Sequence, residues 1–383
     1  MSERELLMIP GPTNVDSSVL RALSKPTLSH VSSEFAAIFK QSLEDLKKVF
    51  MTDGETFVVA GSGTLAMEMA VANVVEPGDK ILNLVSGLFG QRFVEISKYH
   101  RAVSTVVEVP WGEAVKPDMV KDALEKNNYK AVTVVHVDTS TGVANPIKEI
   151  GEVVKNYSDA FYIVDTVCSL GGMEVRLDDW QIDICLTGSQ KCIGVPPGLA
   201  LLAVSKEVIE FLEKKTTPTD FYYGDLKNWL PIMRDPAKYF GTPPVNMIYA
   251  LSHALRLVLE EGLEKRFKRH HAIGEAMRAA VDALNLKIVA NREYAADTLT
   301  AVYYPEKVED QAFRNGMKQC GVVVAGGLGP LKGKIFRVGH MGNVNLNDIM
   351  STVGAMEVTL RSLGYSFEHG TGLKAAQGKL SLK

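Results

Sequence analysis

The stretch ETFVVAGSGTLA, residues 55–66, decides the fold. Six β-prone residues run into a glycine-rich turn, and the turn runs directly into a helical pattern that begins at Leu65. The same alternation continues to residue 204. Predicted strands cover 55–60, 80–85, 104–109, 130–137, 161–165, 183–187 and 199–204, separated by helical stretches such as 65–75, 91–100, 116–126 and 147–156. That order predicts an α/β fold with a mostly parallel seven-stranded sheet covered by helices on both faces.

Past residue 205 the pattern loosens, and a long apolar helix near 244–261 leads into a second, smaller unit. Helices are predicted there at 262–284, 308–319 and 346–362, and strands at 286–290, 297–304, 321–325 and 334–339, which reads as α+β. The expected organisation is an N-terminal segment, 1–20, that contributes to the small domain and the site, a large domain, 21–255, and a small α+β domain, 256–383. The opening PGPTNV (10–15) is extended and pinned by proline, and the glycine- and lysine-rich stretch after 364 is expected to be loosely ordered.

Composition narrows the function. The chain has 383 residues, 46% hydrophobic and 23% charged, with a net charge of −3, so neither nucleic acid nor an anionic membrane surface is an expected partner. Charges stand where a secretory leader would have its apolar core in MSERELLMIP, and no apolar run approaches about 18 residues, so a cytoplasmic location is expected. Cys168, Cys185, Cys192 and Cys320 are too few and too scattered for a disulfide framework and show no metal-ligand spacing; reduced thiols and no metal site are expected.

Sheets of this kind place ligands beyond the carboxyl ends of their strands, where the chemistry should be sought. The first candidate is GSGT at 61–64, which offers free N–H groups and the positive end of a helix dipole to a phosphate, with the Ser62 and Thr64 hydroxyls as further donors. The alternative is a tight turn with no ligand. GSGTLA also satisfies GxGxxA, but a dinucleotide site needs an acid closing the next strand, and that strand ends Asn83-Leu84-Val85-Ser86.

Asp165 closes the strand FYIV, where a carboxylate is costly to bury without a cationic partner. A protonated pyridine nitrogen would serve, since unit charges about 4 Å apart attract by about 4 kcal/mol at an effective dielectric of about 20. Such a ring stays protonated at neutral pH and accepts electrons from a carbanion. An arginine partner or a helix cap is the other reading. Lys191 lies 26 residues further on, after the run DICLT, so both residues reach the same sheet edge. Its neighbours Ser189, Gln190 and Cys192 solvate it poorly, which favours a free amine able to form a Schiff base.

PGPTNV (10–15), GSGT (61–64), GLFGQR (87–92), TSTGV (139–143), VDTVCSLGG (164–172), GSQK (188–191) and RVGHMG (337–342) together resemble the alanine–glyoxylate and serine–pyruvate aminotransferases. These are class V members of the fold-type I pyridoxal-phosphate enzymes, and the likeness runs in order along nearly the whole chain. The resemblance implies pyridoxal 5'-phosphate as cofactor, Lys191 as Schiff-base lysine and proton shuttle, and Asp165 on the pyridine nitrogen. It implies that Ser62, Gly63, Thr64 and Gln190 take the phosphate, that Phe89 and Val167 pack the two ring faces, and that Ser140 lies beside the ring. Tyr239 and Thr242 would reach the phosphate of a neighbouring subunit in a homodimer with shared sites. Arg337 would clamp the substrate carboxylate, and Gly11 would leave room for a small side chain. Without the resemblance, Phe89 and Val167 read as core, Arg337 as a surface ion pair, and His30 and His136 as hydrogen-bonded structural residues.

The implied reaction is ping-pong transfer of the amino group of L-alanine or L-serine to glyoxylate or pyruvate. Thr64, Phe89, Cys168 and the pair His30-Val31 depart from the residues common in such enzymes, which leaves the donor open. A desulfurase needs a thiol on the loop before the arginine, and AGGLGPLKGKIF (325–336) has none; Cys320 reads as buried packing. Lyase chemistry on the same cofactor, and more remotely a nicotinamide oxidoreductase or a silent binding protein, are the alternatives.

Overall fold

The computed structural model describes residues 5–380. Its large sheet contains β1 (Glu55–Ala60), β2 (Lys80–Val85), β3 (Val103–Glu108), β4 (Ala131–Val135), β5 (Phe161–Asp165), β6 (Ile184–Gly188) and β7 (Leu199–Val204). Their order across the sheet is β1-β7-β6-β5-β4-β2-β3. β7 runs antiparallel to both its neighbours, and every other adjacent pair is parallel. Most of these strands are continuous apolar runs because both faces are covered; β3, at an edge, alternates exposed and half-buried residues.

The strand expected over 130–137 stops at Val135. The chain then bends through His136 into a short antiparallel pair, Val137–Asp138 with Val143–Ala144. Since β4 inserts between β2 and β5, the loops after β2 and β4 diverge at a reversal of strand order, and a crevice opens there. Two helices start at that edge, α1 (Gly63–Val74) and α2 (Leu88–Tyr99).

One apolar core gathers residues from Val19 to Val258 around the large sheet. A second gathers Met8 with residues from Ile273 to Ala376, beside an antiparallel sheet of β8 (Leu299–Tyr303), β9 (Ala325–Gly326) and β10 (Ile335–Gly339), ordered β8-β10-β9. The strand expected at 286–290 is reduced to one bridge, Ile288 with Val302. The strand expected at 321–325 splits: Val322–Val323 pairs in parallel with Leu6–Leu7, while Ala325–Gly326 joins β10. No helix among the described residues is long and apolar enough to cross a membrane.

Residues 365–380, expected to be loosely ordered, instead pack through a helix. α3 (Leu346–Ser362) begins with a capping box from Asn345 and Asp348, and its buried Glu357 accepts hydrogen bonds from Gly370 N (2.9 Å), Gly372 N (2.7 Å) and Leu373 N (3.1 Å). A carboxylate thus caps the start of α4 (Thr371–Lys379), whose Ala376 is fully buried. Local sequence carries no sign of this helix, because its cap comes from another element. Glu357→Ala should lower stability by about 2 kcal/mol and speed amide exchange across 372–379, measured by urea denaturation and hydrogen exchange.

Candidate active site

The turn at 61–64 delivers the chain from β1 into α1. Ser62, the residue before the helix, makes no side-chain cap bond, and the N–H groups of Gly63, Thr64 and Leu65 have no acceptor among the described residues. A Cβ on Gly63 would stand 2.9 Å from Val167 Cγ2, so glycine lets this helix start pack against the loop after β5.

Asp165 ends β5 and is 2% exposed. Its carboxylate accepts one hydrogen bond, from Val167 N at 2.7 Å, and forms no ion pair among the described residues. Burial pushes its pKa up to about 7; the Val167 N–H, Lys191 and Arg92 pull the other way, while neighbouring Asp138 adds to the rise.

Lys191 is 8% exposed and also lacks a carboxylate partner among the described residues. Its amine donates to the Pro10 carbonyl. A Cβ on Gly11 would fall 2.4 Å from Lys191 Cδ, so glycine is what lets this segment lie against the lysine stem. Thr13 fixes the lysine loop from the same segment, with N donating to Gln190 O at 3.0 Å and Oγ1 to Lys191 O at 2.9 Å.

Asp165, Lys191, Ser62, Gly63, Thr64, Phe89, Val167, Gln190 and Gly11 line one cavity of about 250 Å³, together with Arg92, Thr139 and Cys168. Thus nine residues expected at the site share a wall. The Gln190 amide oxygen is buried there without a partner, so a half-turn of the amide would present its NH2 to an anion.

Ser140 is a correction. It does not line the cavity: its hydroxyl donates to Asp138 Oδ1 at 2.6 Å and accepts from Leu88 N at 3.1 Å. The residue beside it, Thr139, faces the cavity, with its hydroxyl 2.6 Å from Cys168 Sγ. Ser140 is instead held in the loop after β4, where it bonds Asp138 and the start of α2.

Sequence reasoning missed Asp138. This fully buried carboxylate accepts from Phe89 N (2.9 Å), Gly90 N (3.3 Å), Ser140 N (3.0 Å) and Ser140 Oγ, and so fixes the start of α2. Burial raises its pKa against the pull of those bonds. The argument applied to Asp165, an acid closing an apolar run, fits VHVD at 135–138 equally well.

Arg337, on β10, is 7% exposed and has no acidic partner among the described residues, which removes the surface ion-pair reading. Its Nε donates to Gly326 O at 2.8 Å and its Nη1 to Thr139 O at 2.9 Å; burial lowers its pKa. Those bonds carry it to the cavity wall without its lining the cavity. Tyr239 and Thr242 are elsewhere: Tyr239 is 64% exposed, and its hydroxyl lies 3.4 Å from that of Thr242. His136 is held only through its backbone, and its ring Nδ1 is buried without a partner. Burial lowers its pKa to about 4, which keeps the ring neutral. Cys320 is exposed at a helix end rather than buried, whereas burial pushes the Cys185 and Cys192 thiols up to about 12.

A buried carboxylate without a counter-charge, a buried amine and a set of free N–H donors on one cavity are the complement of pyridoxal 5'-phosphate, with its ring nitrogen, carbonyl and phosphate. Residues 10–331 match the family model for aminotransferase class-V. The chain belongs to that family. It is 45% identical to an uncharacterized aminotransferase of Methanocaldococcus jannaschii over 98% of this chain and 97% of the relative. It is 40% identical to a protein of Synechococcus named soluble hydrogenase, small subunit, over the full length of both. A serine–glyoxylate aminotransferase of Arabidopsis thaliana is 33% identical over 97% of this chain and 94% of its own. Among solved structures, an alanine–glyoxylate aminotransferase from Nostoc superposes with a TM-score of 0.90 at 34% identity, covering 94% of this chain and 96% of that one. This class-V aminotransferase therefore has the fold-type I architecture, with pyridoxal 5'-phosphate as its cofactor.

The Asp165 carboxyl makes stability depend on pH in the cofactor-free enzyme. Its folded pKa of about 7 lies above the ordinary carboxyl value, so its contribution is fully present below about pH 4 and is lost as pH rises through 7. The loss should be of the order of 4 kcal/mol. Urea denaturation from pH 4 to 8 should show this decline, and Asp165→Asn should remove it.

Proposed function

We propose that this class-V aminotransferase moves the amino group of L-alanine or L-serine to glyoxylate or pyruvate in two half-reactions, with the cofactor held covalently by Lys191. The observation that carries the reading is the buried, unpaired Asp165 on the cavity that also holds the Lys191 amine. When bound, pyridoxal 5'-phosphate supplies a carbonyl that takes up the amino group and a ring that accepts electrons.

In this reading Asp165 holds a proton on the ring nitrogen. Ser62, Gly63, Thr64 and Gln190 grip the phosphate, while Phe89 and Val167 flank the ring and Thr139 stands at its side. Arg337 orients the substrate carboxylate; its two backbone bonds fix the guanidinium plane and leave Nη2 to donate. The Lys191 amine, set free when the substrate amino group takes its place on the cofactor, would accept the proton from the substrate α-carbon. Pro10 O steadies that amine, and the lack of a Cβ at Gly11 leaves its stem unobstructed. Glyoxylate is the acceptor named for the Arabidopsis and Nostoc relatives, which supports it here. Exposed Tyr239 and Thr242 suit a homodimer in which they complete the neighbour's phosphate site.

Lys191→Ala should give a folded protein that has lost transamination, together with the visible absorbance that borohydride removes from the parent enzyme; retained turnover would refute the assignment. Arg337→Ala should lower kcat/KM for amino acids by about 30- to 1000-fold, corresponding to about 2–4 kcal/mol, and leave amines lacking a carboxylate little changed. An equal loss with amines would place the carboxylate clamp elsewhere. A panel of alanine, serine and glycine against glyoxylate, pyruvate and hydroxypyruvate identifies the physiological pair.

A further inference from the structure

The residues assigned to the phosphate, Ser62, Gly63, Thr64 and Gln190, are all neutral. A phosphate ester carries about −1.5 to −2 charges at neutral pH, and the end of a helix offers only about half a positive charge. The turn by itself therefore leaves most of that charge uncompensated on a partly enclosed surface. Among the described residues that line the cavity, one cation besides Lys191 stands within reach. Arg92, one turn into α2, lines the same cavity, and its Nη1 donates to Thr64 Oγ1 at 3.1 Å. Its guanidinium lies 4.6 Å from the centre of the Phe89 ring, and it forms no ion pair among the described residues. Its placement is firm, because Asp138 ties down the backbone of Phe89 and Gly90 at the start of the same helix.

We propose that Arg92 is the counter-charge for the cofactor phosphate, a positioning residue that closes the anion site begun by the α1 turn. The inference rests on the reading that seats the phosphate at that turn. The guanidinium, oriented by Phe89 and Thr64, presents a planar fork of donors, which matches phosphate oxygens better than a point charge does. Phe89 then serves twice, as a platform for the guanidinium and as a wall for the ring.

The test compares two ligands that differ only in the phosphate. Enzyme stripped of cofactor is titrated with pyridoxal 5'-phosphate and with pyridoxal, following absorbance and tryptophan fluorescence. Arg92→Met should raise the Kd for pyridoxal 5'-phosphate about thirtyfold and that for pyridoxal less than twofold. Arg92→Lys, which keeps the charge but not the fork, should lose less than fivefold. Inorganic phosphate should compete with pyridoxal 5'-phosphate more weakly in Arg92→Met than in the parent. Equal losses for both ligands would overturn the proposal by showing that Arg92 acts through packing. Unchanged Kd values with a raised KM for L-aspartate but not L-alanine would also overturn it, placing a substrate carboxylate there instead. Ser62→Ala and Gln190→Ala separate this from failure of the underlying reading: if neither shifts the ratio of the two Kd values, the phosphate is not at the turn. If they shift it and Arg92→Met does not, only the role of Arg92 falls.

Discussion

A carboxylate held away from water with a single N–H donor is the constraint around which this molecule is organised. Asp165 sits at the end of a central strand, and among the described residues its carboxylate has the Val167 N–H and no ion-pair partner. Proteins seldom retain such a group without a ligand to meet it, because burial of a lone charge costs several kcal/mol. Lys191 shares the cavity yet spends its amine on the Pro10 carbonyl rather than on the acid. The acid and the amine thus line one cavity without pairing with each other.

The contrast with Asp138 shows how environment divides two buried acids. Asp138 accepts four hydrogen bonds from Phe89, Gly90 and Ser140, and its negative charge is consumed in building the loop after β4 and the start of α2. Asp165 accepts one and remains available. The first therefore works as scaffold and the second, in the proposed function, as a receptor for a cationic ring. Glycine at 87 is part of the same scaffold, since a Cβ there would lie 2.6 Å from Asp138 Cγ.

Three distant parts of the chain meet at this cavity. The large sheet contributes its carboxyl edge, the segment at 10–13 lies over the lysine loop, and Arg337 of β10 stands behind the wall, bonded to the carbonyl of cavity-lining Thr139. The segment is itself anchored to the second core through Met8 and the pairing of Leu6–Leu7 with Val322–Val323. Movement of one core relative to the other would therefore shift the Arg337 guanidinium and the cover over Lys191 together.

The strands 55–60, 80–85, 161–165 and 199–204 and the helix 346–362 were legible to the residue, because a period of two or an unbroken apolar run is a local property of the chain. The glycine turn, Asp165 and Lys191 were legible as well, since each stands just after such a run. Contacts between distant residues were not. The cap of Glu357 on α4, the four bonds into Asp138, the placement of Thr139 rather than Ser140 on the cavity, and the burial of Arg337 without an acid all depend on elements brought together by packing. Sequence by itself determined the architecture and the chemical types at the strand ends. Only the tertiary structure decided which of those groups are satisfied and which are left free to act, because desolvation and hydrogen-bond partnership are set by neighbours far away along the chain.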